Sequence, residues 1–405
     1  MALMTVDEAL HRLTEKATLL ESETIDISFA GGRFLSEPLL AKLTQPPFNS
    51  SAMDGYAVKS DEEIAAGTRF KVVGEAAAGH IFKGKVNKGE SIRIFTGAAV
   101  PEDVNSVIIQ ENINKLDDGF IELTQNSAAH ANIRPAGGDF TKGDVILPAA
   151  TQLTPSAIGL AAASGHATVS VIRSPRIAIL STGDELVPAG TIPGEGQIVA
   201  SNGYALAQLA MDHGGEVIDL GIVADNRSQI HSAIQAAKQQ KADILITSGG
   251  VSVGDYDLVQ EVMQEAGMEL DFWKIALRPG KPLMFGTIKN GEHNMLVLGL
   301  PGNPVSAIVT ATLFLLPMMD KMRGNQSAQR IMNAKLTKAL KANGPRRHYI
   351  RGTMKSDEQG ILHVTPAASA DSSLMKIMAQ SNCLIINEID APALNIGDTV
   401  KILIL

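Results

Sequence analysis

The sequence predicts a multidomain protein of α/β and β architecture, and three observations predict it. Between residues 174 and 325, short apolar runs alternate with helical stretches, the pattern of a three-layer α/β/α unit built on a parallel sheet covered on both faces. Residues 46–139 hold short β-type runs punctuated by glycine, with no long helical period. Residues 326–405 return to β patterning, as a small barrel or sandwich does. A chain of 405 residues that is 45% apolar has the material for packed cores. About two to four domains are expected at this length.

The elements follow in order. Thr5 and Glu8 fit a capping box that opens a helix, with Val6, Leu10 and Leu13 on one face. Residues 1–20 are thus expected as a helix packing with the α/β domain. Residues 21–45 begin with a strand-like run at 24–29. Thr154 and Pro155 supply an N-cap and an N1 proline, and Gly165 closes that helix. Residues 140–173 are expected to rejoin 21–45 in one discontinuous linking domain, with 46–139 as an inserted β domain between them. In 174–325, strands are expected at 176–180, 216–220, 242–246 and 295–298. Helices fall near 203–212, 227–239 and 257–265. The apolar stretch 305–319 is too short to span a bilayer comfortably and reads as a buried helix.

Charge and composition narrow the function. A net charge of −8 and a pI of about 5.6 leave no basic field for nucleic acid. The single cysteine, Cys383, excludes an intrachain disulfide framework and a cysteine zinc site. The nine histidines show no metal-ligand spacing. The N-terminus has neither a basic nor an apolar leader segment, so a soluble cytoplasmic protein without membrane contact is expected.

Four loops are expected at the carboxyl ends of the strands, the edge where such sheets bind ligands. They hold Ser181, Thr182, Gly183, Asp184 and Glu185; Asp225; residues 248–257; and Pro301, Gly302 and Asn303. The third contains Ser248, Gly249, Gly250 and Ser252 between an apolar strand and a helix, a turn through which backbone N–H groups can approach an anion. Taken alone, such a turn is more often a ligand-free connection. Asp184, Glu185, Asp225, Asp255 and Asp257 load the edge with carboxylates, which raise one another's pKa unless a cation intervenes. Oxygen ligands and a neighbouring phosphate suit Mg²⁺. Singly, each acid also fits a helix cap or a solvated loop charge; the set on one edge favours a site. Asn303 and Pro304 begin the last long helix as N-cap and N1, which a purely structural helix start explains too. Between the strands, Lys274, Arg278 and Lys281 sit on a turn stiffened by Pro279, Gly280 and Pro282, a fixed cationic cluster suited to a compact oxyanion. The alternative is a solvated charged loop. Trp273 reads as core rather than as a stacking platform. In the β domain, residues 49–58 and 96–101 are dense in small residues around Asp54 and Thr96, which indicates tight turns without specifying chemistry.

Taken together, these segments resemble the molybdopterin molybdenumtransferase (MoeA-like) family, which also includes the E domain of gephyrin. The resemblance rests on residues 49–58, 93–98, 181–186, 248–256, 278–282 and 300–304, in the family's order, and it covers essentially the full chain. It implies a molybdopterin-binding α/β domain whose substrate is adenylylated molybdopterin. The enzyme hydrolyses the adenylate with Mg²⁺ and inserts molybdate, giving molybdenum cofactor and AMP. The substrate's dithiolene supplies the soft sulfur ligands, which fits a chain with one cysteine. By the resemblance, Asp54, Glu185, Asp225 and Asp257 are catalytic, and Asp184, Glu185, Asp225, Asp255 and Asp257 surround the metal. Thr96, Arg134, Asp139, Thr182, Gly183, Ser248, Gly249, Gly250, Ser252, Pro301 and Asn303 contact substrate. Lys274, Arg278, Lys281, Arg351 and Ser372 receive molybdate.

The resemblance further implies an elongated homodimer whose site is shared between the α/β domain of one chain and the β domain of the other. It also implies a transient contact with the molybdopterin adenylyltransferase. The chain departs from the family pattern at Gly138, where an acid is common, at Ala136, often a cation, and at Asp371, usually glycine. Lys376 and Ile377 replace a serine pair, and Arg278 stands where some members carry lysine. Two other readings compete: a nucleotide or pyrophosphate hydrolase on the same α/β domain, which would not need molybdate, and a non-enzymatic scaffold, which would tolerate loss of Asp225 or Asp257.

Overall fold

The computed structural model describes residues 3–249, 258–291, 293–326 and 331–405. The chain divides into two compact units, one of Met1–Glu23, Gly32–Phe34 and Val171–Leu405, the other of Thr24–Gly31 and Leu35–Ser170. Helix α1 (Val6–Lys16) opens the first unit; Thr5 Oγ1 accepts from the Glu8 N–H at 3.1 Å, the cap its sequence calls for. The strand-like run at 24–29 is shorter than expected. The strand Ser22–Asp26 gives way to a 3₁₀ turn, Ile27–Phe29, because the Asp26 carboxylate caps Ser28 N–H at 2.8 Å.

The second unit is built on a six-stranded mixed sheet. Its strands are β1 (Gly55–Val58), β2 (Arg69–Ala76), β3 (Glu90–Ile94), β4 (Ser106–Ile109), β5 (Ile113–Lys115) and β6 (Phe120–Leu123), in the spatial order β4-β1-β3-β2-β6-β5. The period of two sorts its side chains: Tyr56, Val58 and Ile108 enter one core, Ala57, Ile92, Ile94 and Val107 the other. Helix α2 (Pro155–Ala163) starts at Thr154 and Pro155, and Gly165, with φ +94°, follows its end.

The first unit carries the three-layer α/β/α architecture. Its sheet holds β7 (Arg176–Thr182), β8 (Glu216–Val223), β9 (Ile244–Ser248), β10 (Met268–Lys274), β12 (Pro282–Asn290) and β13 (His293–Leu300), in the order β8-β7-β9-β13-β12-β10. The strands expected at 176–180, 216–220, 242–246 and 295–298 form the parallel part of this sheet, and two strands that the sequence did not announce, β10 and β12, join it. β8, β7, β9 and β13 are parallel, but β12 runs antiparallel to β13 and β10 antiparallel to β12. The cause is the connection: Asn290 pairs with His293 across a hairpin, and so short a link cannot cross over to a parallel neighbour. One face of the sheet (Ile177, Ile179, Ile244, Ile246) packs on α1, on α3 (Ser201–Asp212) and on α6 (Pro304–Arg323). The other face (Ala178, Leu180, Leu245) packs on α4 (Arg227–Gln239) and α5 (Leu258–Glu265). α6 is long and apolar enough to cross a bilayer, yet it is mostly buried and forms the centre of this core. A π-turn at Ala311–Leu315 interrupts it, where the Thr310 and Thr312 hydroxyls bond back to earlier carbonyls.

The C-terminal strands close on themselves as a barrel-like sheet. β14 (Ile331–Leu336), β15 (Arg347–Ser356), β16 (Leu362–Pro366), β17 (Cys383–Asn387) and β18 (Thr399–Ile404) run in the order β15-β16-β14-β18-β17, and β17 pairs back onto β15. Leu336, Val364, Ile385 and Ile402 fill the interior with Cys383, whose thiol is pushed up to about 11 by burial. The two-residue strand β11 (Leu277–Arg278) joins β15 in parallel register and ties this sheet to the cationic turn.

Candidate functional site

Because β7, β8, β9 and β13 are parallel, the loops that follow them emerge at one edge. Contacts join these loops. Asp225 N–H donates to the Asp184 carboxylate at 3.1 Å. Gly249 has φ +96°, and a Cβ there would lie 2.4 Å from Thr182 O, so only glycine lets these two strand ends close together. A Cβ on Gly302 would stand 3.8 Å from Gly249 Cα, which brings the fourth loop against the third. Between them is a cavity of about 110 Å³ lined by Thr182, Glu185, Asn202, Ser248, Gly249 and Gly302 among others. The Thr182 hydroxyl, which lines this cavity, is buried without a hydrogen-bond partner among the described residues, as is that of Thr247 within β9.

The electrostatics of the edge are acidic. Partial burial, then the charges of Asp184 and Glu185, hold the Asp225 carboxyl above its ordinary range. Among the described residues, no three acidic, histidine or cysteine side chains are arranged to hold a metal ion. Of the expected residues, Gly250, Ser252, Asp255 and Asp257 lie outside the described residues. Asp184, Glu185 and Asp225 are the acids brought together within them.

The cationic turn lies next to this edge. Gly280 has φ +99°; a Cβ there would meet Thr310 Cγ2 of α6 at 2.4 Å and Pro301 Cγ at 3.9 Å. The 278–281 turn therefore presses on both α6 and the loop after β13. Lys274 Nζ stands 4.1 Å from the centroid of the Trp273 ring. Trp273 combines two roles that the sequence set against each other: its ring packs against the core and its face carries a cation.

Asn303 occupies the N-cap of α6, but its side chain makes no capping bond. Instead its Nδ2 donates to Ser372 Oγ at 3.1 Å, while Val305 N–H donates to Ser372 O at 3.1 Å. Ser372 is thereby docked on the start of α6. Arg351 is buried, at 4% exposure, and its guanidinium donates to the carbonyls of Leu374, Ser369 and Asp371 at 3.0, 2.9 and 2.7 Å. Its hydrogen bonds are directed at the loop that carries Ser372.

In the second unit, the small-residue segments converge. Ala52 N–H donates to Asn132 O, Gly97 N–H to Ser51 O and Ala136 N–H to Asn49 Oδ1, at 2.8, 2.9 and 2.9 Å. Asp54 Oδ1 accepts both the N–H and the hydroxyl of Thr96 at 2.8 Å, and these bonds hold its carboxyl below the ordinary range. Arg134 pairs across the chain from Ser50, exposed, and Asp139 stands exposed beyond it. Arg93 escaped the sequence reading. Its guanidinium lies between the rings of Tyr56 and Phe95, at 5.1 and 4.9 Å, beside Asp54. Asn202 escaped as well. Its Nδ2 donates at 2.8 Å to both Ser248 Oγ and Gly302 O, binding the third loop to the fourth. Arg93 opens the 93–98 segment but was given no role there, and no motif marks Asn202, whose partners lie far away in sequence.

Comparison with known proteins bears on this geometry. Residues 4–165 match the family described as MoeA N-terminal region (domain I and II), and residues 178–321 match the probable molybdopterin binding domain. Residues 333–405 match the MoeA C-terminal region (domain IV). The chain is 36% identical over 403 residues to the molybdopterin molybdenumtransferase of Haemophilus influenzae, covering 99% of this chain and 98% of that one. It is 36% identical over 390 residues to that of a Nostoc species, covering 95% and 88%. Its fold is similar to the crystal structure of a molybdopterin biosynthesis MoeA protein from Pyrococcus horikoshii, with TM-score 0.82, 27% identity and 100% of both chains covered.

Proposed function

This chain belongs to the MoeA family of molybdopterin molybdenumtransferases, and on that premise we propose that it inserts molybdate into adenylylated molybdopterin with hydrolysis of the adenylate, yielding molybdenum cofactor and AMP. One observation carries the reading. The cationic turn touches the loop after β13 at Pro301, and that loop touches the glycine turn after β9. A cation-rich wall and an acid-rich wall are thus joined through one loop within a single unit, as a substrate with a pyrophosphate end and a metal-accepting end requires.

The roles follow from the chemistry of each wall. Ser248 and Gly249 line the cavity and can offer a hydroxyl and a backbone donor to a phosphate, and the Thr182 hydroxyl, unpartnered among the described residues, can offer another. Thr182 lines that cavity, and Gly183, Gly250, Ser252, Pro301 and Asn303 are assigned to the substrate by the resemblance. Lys274, Arg278 and Lys281 receive molybdate, a tetrahedral dianion and the reaction's second substrate, and Ser372 adds a hydroxyl held in place by Asn303. Arg351 serves the same site by holding the 369–374 loop. The repulsion that burdens Asp225 fits a bound divalent cation, and hard carboxylate oxygens suit Mg²⁺. Asp184, Glu185 and Asp225 would hold it, with Asp255 and Asp257. When bound, magnesium supplies charge neutralisation for the phosphate oxygens. In the second unit, Asp54 is kept ionised by Thr96, ready to accept a proton or orient a water, and Arg134 and Asp139 contribute polar contacts.

We read the protein as a cytoplasmic homodimer in transient contact with the adenylyltransferase that supplies its substrate, on the resemblance above. The division into 1–20, 21–45 with 140–173, 46–139, 174–325 and 326–405 is likewise our proposal for its domains. The test is turnover of adenylylated molybdopterin with Mg²⁺, with and without molybdate. Molybdate-dependent formation of active cofactor with AMP release supports the proposal. AMP release indifferent to molybdate would identify a nucleotide hydrolase, and no release of either product would leave a scaffold.

A further inference from the structure

Two residues beside the cationic turn carry groups that no motif singles out. β11 and β15 pair in parallel, and the register sets Arg278 directly across from His348. Side chains at such partnered positions point to the same face. On its other side His348 is partnered by Asn387 of β17. Burial and then the charges of Arg278, Arg346 and Arg351 push the half-buried imidazole down to about 4, so it is neutral at physiological pH. Three guanidinium groups therefore act on one imidazole, and they differ in what they are free to do. Arg351 is directed at backbone carbonyls. Arg347, next in the chain, is neutralised by Asp7 and Glu388. Among the described residues, Arg278 and Arg346 have no carboxylate partner.

The backbone under Arg346 is held firmly. Asn343 Nδ2 donates to the carbonyls of Arg346, Asn387 and Glu388 at 2.8, 3.1 and 2.6 Å. Two guanidinium groups without a carboxylate partner among the described residues, set about a neutral imidazole in a chain of net charge −8, form a local excess of positive charge that an anion relieves.

The geometry points to Arg346 and His348 as two further residues of the oxyanion site, Arg346 as a second guanidinium working with Arg278 and His348 as the group that takes up a proton when the dianion binds. The inference rests on the reading of the 274–281 turn as the molybdate site. A dianion placed against Arg278 and Arg346 cancels part of the positive field on His348, so its affinity for a proton from solvent rises. The protonated ring offers a further charge-assisted donor. The groups bearing on His348 are Arg278 from β11, Arg346 from the residue just before its own strand, Arg351 from that strand, and Asn387 from β17, whose neighbour Glu388 is engaged by Arg347. None of them is a free carboxylate that would hold the proton without the anion.

Isothermal titration of the full chain with sodium molybdate tests this, run at pH 5.5 and 7.5 in buffers of different ionisation enthalpy. R346A is expected to weaken molybdate binding roughly tenfold or more, the loss of one charge-assisted contact. The wild type is expected to take up a fraction of a proton on binding at pH 5.5 and almost none at pH 7.5. H348Q, which cannot titrate, is expected to bind at pH 7.5 with no uptake at either pH. Wild-type binding matched within twofold by R346A, or proton uptake unchanged in H348Q, overturns the inference alone. A wild type that binds no molybdate, while folded by circular dichroism, overturns the molybdate site as well.

Discussion

Replacing Arg351 by lysine separates two ways in which one cation can serve a site. Arg351 is 4% exposed and its guanidinium spans three carbonyls, of Leu374, Ser369 and Asp371, at 3.0, 2.9 and 2.7 Å. Lysine keeps the charge but loses the planar fork, so at least two of the three carbonyls lose their donor. Hydrogen bonds to a charged donor are each worth about 1.5–3 kcal/mol, and an orphaned buried acceptor adds to the loss, which sets the expected destabilisation near ~3–5 kcal/mol. The same change frees the 369–374 loop, and with it Ser372 from Asn303 and from the Val305 N–H. Denaturant unfolding followed by far-UV circular dichroism measures the first effect, and molybdate titration the second. R351K is expected to lose stability and to bind molybdate weakly, while S372A alone leaves stability within ~1 kcal/mol of wild type. A lysine variant as stable as wild type that nevertheless binds molybdate tenfold less well would refute the reasoning, because Arg351 would then contact the anion itself.

Other perturbations have separate signatures. Gly280→Ala forces a Cβ against Thr310 Cγ2 at 2.4 Å and strains a φ of +99°, so it should cost ~2–4 kcal/mol and impair molybdate binding; unchanged melting would contradict that. Asn202→Ala removes two 2.8 Å bonds that join Ser248 to Gly302, and a loss of ~1–3 kcal/mol with a raised KM for the adenylylated substrate is expected in steady-state kinetics. Asp225 is raised by burial and by Asp184 and Glu185, so its ionisation opposes folding as pH rises above the ordinary carboxylate range. Asp225→Asn should therefore be somewhat more stable than wild type at pH 7 and equal to it near pH 3, while losing magnesium-dependent turnover. His348 titrates in the opposite sense. Depressed to about 4 by burial and the arginines, it contributes stability that is full above about pH 6.5 and is lost as pH falls toward 4. Discounted for its partial exposure, this is no more than ~2 kcal/mol, and H348Q should flatten that part of the stability–pH curve.

Much of the fold was legible because it follows from local pattern. The apolar runs at 176–180 and 242–246 are buried strands, and the alternation in Gly55–Val58 sorts its side chains between two cores. The antiparallel edge of β12 and β10 was not legible, since period and apolarity are the same whichever way a strand runs. The short link between Asn290 and His293 decides the direction, and its signal in the sequence is the Asn290-Gly291 pair. The site divides the same way. Gly249 and Gly280 stand out in sequence, and their positive φ angles and close contacts show why glycine is needed. Asn202 and His348 stand out only after folding, because Asn202 meets Ser248 and Gly302 from a distant helix and His348 meets Arg278 through strand register. Arg351 is the converse case. Its type suits an anion, but its surroundings turn it toward carbonyls.

Crystals grown with molybdate and magnesium, with data collected at the molybdenum absorption edge, test the central claim most directly. The account predicts one strong anomalous peak beside Arg278 and Lys281, within reach of Ser372, and separated by the Pro301 loop from a magnesium bound at Asp184 and Asp225. A molybdenum peak at the carboxylate edge, or one remote from the 278–281 turn, would contradict it.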